Sequence, residues 1–254
     1  MKRFILSLFI LLAGNLVASV AFSQDASVLG LPALSSTIGE NGEATYSLSL
    51  QILVLMTVLT VVPSIVLGMT AFTRVIIVLS ILRQALGTQQ TPPNQVLIAI
   101  ALFITFYVMS PIFEIIYETA LNPYLEGTTS AQAALTIATD LMKEFMVANT
   151  RTDTMNMFAE MAGVGPFENT KAIPLSIVLP SFITSELKTA FEIGFLIFLP
   201  FLVIDFVIAS ILMSLGMMML SPMLISLPFK LLLFVLVDGW AMMIGSLAST
   251  FVVG

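Results

Sequence analysis

Three ionisable side chains stand inside the apolar stretches near the carboxyl end of the chain. Asp205 lies in FLVIDFVIASILMSLG (201–216), and Lys230 and Asp238 lie in PMLISLPFKLLLFVLVDGW (222–240). A charge at membrane depth costs on the order of 3 kcal/mol or more, so each group needs a counter-charge, a polar cage or water. Two chemistries fit these types. Two carboxylates, Asp205 and Asp238, could share a proton as aspartyl proteases do. Alternatively, Asp205 and Lys230 could form an ion pair between two arms of a hairpin. With a turn near Met219 that pair is about five residues out of register, roughly 7 Å at ~1.5 Å per residue, a gap that a lysine side chain spans. Asp238 is several residues from Asp205 in height and belongs to no motif that presents it to water. The chain contains no cysteine and no histidine, which excludes zinc hydrolysis, thiol chemistry and Ser-His-Asp catalysis within it. The reading is a protein with no enzymatic activity, no cofactor and no metal.

The link between the two arms holds Gly216, then Met217, Met218 and Met219, then Ser221 and Pro222. Methionine is unbranched and polarizable and refills irregular gaps, so a cluster of it at a hairpin tip can plug an opening that must also reopen. Met213 lies one turn before Met217 on the same helix face and would extend the cluster. Taken alone, these residues fit equally well an ordinary transmembrane hairpin, with methionines facing lipid and charges reaching for the interface.

The elements that must carry these groups follow from composition. Of 254 residues 58% are hydrophobic and 9% charged, against about 25% charged in soluble domains, so the chain belongs to the all-α membrane-protein class. Residues 1–23 read as a signal peptide: Lys2 and Arg3, an apolar run from Phe4 to Val20, and small residues at Ala21 and Ser23. Cleavage after Ser23 would leave 7 basic against 15 acidic residues, moving the net charge from −6 to −8. That balance argues against nucleic acid as a partner. Residues 24–46 form a polar periplasmic segment without periodicity, expected to be flexible.

Residues 47–117 are expected to form a first hydrophobic hairpin. Its arms are joined through Gly87–Pro93, with Arg74 and Arg83 on opposite sides of one helix and on the cytoplasmic side by the positive-inside rule. Residues 118–188, with eight acidic and four basic side chains, read as a small helical periplasmic domain. Thr129 and Ser130 can cap a helix from about Ala131, a second short helix spans Met155–Met161, and Phe145 and Phe158 supply core. A new helix is expected from Ser181 into the second hairpin, residues 189–254, with the last helix running from Pro222 to about Phe251. Pro63, Pro111, Pro200 and Pro228 put one proline in each apolar run, which predicts interrupted helices.

Three long blocks carry a resemblance: Met69–Pro111, Asp205–Leu220 and Leu227–Trp240. They resemble the FliP family of type III secretion export gates, whose virulence-system relatives are the SctR proteins, and the likeness covers about Ser47–Phe251. The resemblance implies broken helical hairpins that assemble into a ring-like or helical multi-subunit channel, several copies with a pentameric core, together with FliQ and FliR. It also implies FlhB and FlhA in the wider export apparatus, exported flagellar proteins as substrates, and a place in the inner membrane at the flagellar basal body with a periplasmic portion. By the same resemblance Met217, Met218 and Met219 form the pore gasket, and Phe145, Phe158 and Glu186 lie between neighbouring copies. A secondary transporter or ion channel subunit is the competing reading, weakened by four spans and no internal repeat.

Overall fold

The computed structural model describes residues 34–38, 44–48, 50–88, 90–164, 167, 172–217 and 220–252. The segment read as a signal peptide, together with Met218 and Met219, lies outside the described residues. The chain divides into two compact units, Met1–Pro63 and Ser64–Gly254.

The first unit holds two antiparallel strands, β1 (Leu34–Ile38) and β2 (Ala44–Leu48), in register from Leu34 opposite Leu48 to Ile38 opposite Ala44. Part of the segment read as structureless is therefore a hairpin. The missed signals are the β-branched residues Thr37, Ile38 and Thr45. Helix α1 (Leu50–Gly68) follows and passes through Pro63.

The second unit is helical: α2 (Phe72–Ala85), α3 (Asn94–Ile116), a π-helical turn at Tyr117–Leu121, the short α4 (Asn122–Leu125), α5 (Ala131–Ala148), α6 (Thr152–Met161), α7 (Leu175–Ser214), α8 (Pro222–Leu236) and α9 (Gly239–Ser249). Its core forms where α2 packs between α3 and α7. Val75, Val78, Leu79, Leu82 and Ala85 are buried on α2 at helical spacing; the first three cluster with Leu97, Ala101 and Ile104 of α3 and Val178, Phe182 and Ala190 of α7, and Leu82 and Ala85 cluster with Phe201 of α7 and Phe234 of α8. Of Thr129 and Ser130, it is Ser130 that caps α5, its hydroxyl accepting from the Ala133 N–H at 3.2 Å.

The breaks do not fall at the prolines. α7 is one helix of 40 residues through Pro180 and Pro200, so it starts at Leu175 and not at Ser181, and the boundary expected at 188/189 falls in mid-helix. Each proline removes one backbone bond, to Ser176 and to Leu196, and both of those residues lie on the exposed side. In α3 the carbonyl freed by Pro111 is that of Tyr107, which accepts from the Ser110 hydroxyl at 2.9 Å. The last helix, by contrast, is broken: α8 and α9 meet at 65° around Val237 and Asp238.

Among the described residues two helical stretches are long and apolar enough to cross a membrane, Asn94–Leu125 and Leu175–Ser214, or up to four if each bent pair counts as one span: Leu55–Gly68 with Phe72–Ala85, and Pro222–Leu236 with Gly239–Ser249. Only 11% of the most apolar window of α7 is buried within the chain, so lipid or another subunit has to cover the rest.

Candidate functional site

The tip between α7 and α8 is built by a helix stop. Gly216 has φ 72°, a conformation that costs a residue with a Cβ. Its N–H donates to the Met213 carbonyl and the Met217 N–H to the Leu212 carbonyl, each at 3.0 Å, which closes the last turn of α7. Met213 and Met217 are 67% and 44% exposed, and Leu220, Met223 and Leu224 beside them are exposed too. The tip is thus an apolar knob with methionine on its outside.

Below the knob, Asp205 and Lys230 meet. The Lys230 ammonium donates to Asp205 Oδ2 at 2.6 Å and to the Ala85 carbonyl at 3.2 Å, and the Ser226 hydroxyl donates to Asp205 Oδ1 at 2.5 Å. Lys230 keeps 3% of its side-chain exposure and Asp205 33%. Asp205 also borders an open cavity of about 490 Å³ lined by Leu202, Phe206, Ala209, Pro222 and Met223. Because Ala85 is the last residue of α2, Lys230 sits at the negative end of that helix and ties it to both arms of the hairpin.

The other end of α2 carries a second, tighter cluster. Arg74 donates from Nε to Glu186 Oε2 at 2.8 Å and from Nη2 to Oε1, and their side chains are 3% and 0% exposed. Nη1 donates to the carbonyl and to the hydroxyl of Thr250, each at 3.0 Å. The guanidinium carbon lies 3.9 Å from the Phe251 ring centroid. Asn149 finishes the arrangement by exchanging two 2.9 Å hydrogen bonds with the Val252 backbone. One arginine thereby joins α2, α7 and the residues after α9.

The FliP family model matches residues 55–247, a span that contains the methionine tip and both ion pairs. The chain belongs to the FliP family. The flagellar biosynthetic protein FliP of Cereibacter sphaeroides is 63% identical over 94% of this chain and 80% of its own length. The FliP of Bacillus subtilis is 51% identical over 85% of this chain and 96% of its own length, and that of Pectobacterium carotovorum is 50% identical over 87% and 86%.

Within this FliP-family chain, two of the residues read as lying between copies are enclosed by the chain itself. Phe145 is buried against Phe182 and Phe251, ring centroids 6.0 and 6.4 Å apart, and Glu186 is spent on Arg74. Phe158 is half-buried on the same core. Asp238, read as a buried charge, is exposed in the single chain: the elbow it occupies turns it off the helix. It lies eight residues beyond Lys230, roughly 12 Å along α8, while both oxygens of Asp205 are already engaged, so the geometry gives no shared-proton carboxylate pair. Arg74, counted as a cytoplasmic marker, is neutralised in the interior, and Arg83 donates to Asn94 Oδ1 at 2.5 Å. Sequence reasoning missed Ser226 as a partner of Asp205, and Arg74 with Thr250 and Asn149 as the setting of Glu186. The available signal was an arginine and a glutamate each standing in an apolar helix, since two such charges ask for each other.

Proposed function

We propose that this chain is a channel-forming subunit of the flagellar type III protein export gate, with no chemistry of its own. In this reading several copies, with a pentameric core, join FliQ and FliR in the bacterial inner membrane at the flagellar basal body, with a periplasmic portion. FlhB and FlhA complete the apparatus, and unfolded flagellar proteins pass through its centre. Met217, Met218 and Met219, extended by Met213, form a gasket of flexible thioethers that parts for a chain and recloses against ions. The observation that carries this is the hairpin tip: exposed methionines on a knob whose base is fixed to α2 by Lys230 and Asp205. Family membership supports the flagellar setting. Phe145 and Glu186 then serve subunit packing indirectly, by fixing α2, α5 and α7 within each copy, while Phe158 is closer to the surface. The test replaces Met213, Met217, Met218 and Met219 with alanine in cells carrying the whole apparatus. Resting membranes should become leaky to small ions; unchanged conductance would remove the gasket from the account.

A further inference from the structure

Asp238 is the ionisable group of the second hairpin that finds no partner among the described residues. It adopts φ 50° and ψ 52°, the one positive φ among described non-glycine residues. Its carboxylate does not cap α9 and makes no hydrogen bond or ion pair among the described residues. The backbone does not ask for an acid here, because asparagine or glycine enters the left-handed region as readily and carries no charge.

The elbow is also stiff. A Cβ on Gly239 would stand 2.3 Å from Phe234 Cε2, and the Phe234 ring meets Trp240 edge-on with centroids 5.5 Å apart. The exposed residues on either side of Asp238 along the chain are apolar: Val235, Leu236, Val237, Trp240 and Met242. At ~1.5 Å per residue the elbow is roughly 24 Å along α8 from Pro222, and α9 continues about 16 Å beyond it. The charge therefore lies between two apolar helices and not at the end of the apolar region, where leaving it unpaired is costly.

We infer that the elbow between α8 and α9 is a docking seat for an apolar helix of another polypeptide that carries one lysine or arginine at matching depth. Asp238 takes the cation, and the exposed part of Trp240 offers it an aromatic face. A second copy of this chain is a poor source. Among the described residues Arg74 and Lys230 are buried in pairs, Arg83 is held by Asn94, Lys143 is buried, and Arg151 and Lys188 pair with Glu192 and Asp153. The inference rests on the reading of the chain as a subunit of a membrane assembly, and it is independent of the methionine gasket.

The test uses tagged full-length protein expressed in its own cells and purified from membranes with whatever accompanies it. Asp238→Asn keeps the left-handed backbone and removes only the charge. The variant should retain at least tenfold less of one accompanying polypeptide than the wild type, while the melting temperature of the chain purified alone stays unchanged. In wild-type particles, carbodiimide with glycine ethyl ester should modify Asp238 at least tenfold more slowly than the exposed Glu126. Full retention of every companion by Asp238→Asn overturns the seat, and so does labelling of Asp238 in the particle as fast as Glu126. If the wild-type chain brings down no other polypeptide, the assembly reading falls with it.

Discussion

Replacing Glu186 with leucine exposes how the second unit is held. The substitution leaves a guanidinium that is 3% exposed with Nε and Nη2 unpaired, while Nη1 still bonds to Thr250 and the ring of Phe251 still covers the group. Removing one partner of a buried pair costs about 3–5 kcal/mol. Escape toward water would also give up two charged hydrogen bonds to Thr250, each worth about 1.5–3 kcal/mol, so Arg74 stays and the cost is not relieved by escape; the middle of that range is about 4 kcal/mol. At about 2–4 °C per kcal/mol for a domain of this size, the melting temperature should fall by roughly 8–16 °C. Arg74→Met with Glu186→Leu removes the stranded charge, and the double variant should recover to within about 1–2 kcal/mol of wild type. Thermal unfolding in mild detergent, followed by the fluorescence of the single tryptophan, Trp240, measures both. The reasoning is refuted if Glu186→Leu melts within about 2 °C of wild type, or if the double variant melts no higher than the single.

The Asp205–Lys230 pair should respond unequally. Asp205→Ala strands an ammonium that is 3% exposed and should cost about 3–5 kcal/mol, whereas Lys230→Met leaves a carboxylate already 33% exposed beside an open cavity and should cost distinctly less in the same melting assay. Gly194→Val should cost at least about 1–3 kcal/mol by overpacking, since a Cβ there would stand 2.4 Å from Ile81 Cδ1. Asp153 at the start of α6 is held below the usual carboxylate range, first by the Thr154 backbone N–H and then by Lys188. A depressed folded value means the unfolded chain binds the proton more readily. The contribution of Asp153 is therefore full above the ordinary carboxylate value and fades as pH falls through the folded one. Melting curves of Asp153→Asn against wild type should differ at neutral pH and converge in acid, and a difference that persists in acid would contradict the assignment.

Much of the fold was legible because membrane-class helices announce themselves through composition and length, and because Ser130 and Gly216 are strong local signals. The positions of the breaks were not. Reading Pro63, Pro111, Pro200 and Pro228 as interruptions overstated what one missing N–H does when the orphaned carbonyl faces the exposed side of a helix or, as at Pro111, meets a serine. The true elbow sits at Asp238-Gly239, where a left-handed residue and a glycine pressed against Phe234 leave no room for continuation. In the candidate site, Asp205 and Lys230 were found by register arithmetic along one hairpin. The Arg74–Glu186 pair is separated by 112 positions and needs the packing of α2 on α7, which periodicity alone does not supply. Phe145 illustrates the same gap: its aromatic character was readable, but its enclosure by Phe182 and Phe251 depends on residues 37 and 106 positions away.

The two ion pairs also answer a question that the apolar core leaves open. In lipid, or against other apolar subunits, the hydrophobic effect does not separate one helix register from the next, since a leucine is as well covered by a tail as by a neighbour. α2 is clipped to α7 at Arg74 and, through Lys230, at Ala85, roughly 16 Å apart along the helix; a slip by one turn of α7 would break both clips together. The pairs therefore fix register, and register fixes where the methionine tip stands. That separates stability from function in the charge-free double variant Arg74→Met with Glu186→Leu. Its melting temperature should return close to wild type, but with the Lys230–Asp205 clip left to hold the register alone, the height of the tip is fixed less firmly, so swimming in soft agar should fall below wild type. Wild-type motility together with the recovered melting temperature would mean that apolar packing alone sets the register, and that the buried charges are an incidental way of filling the interior.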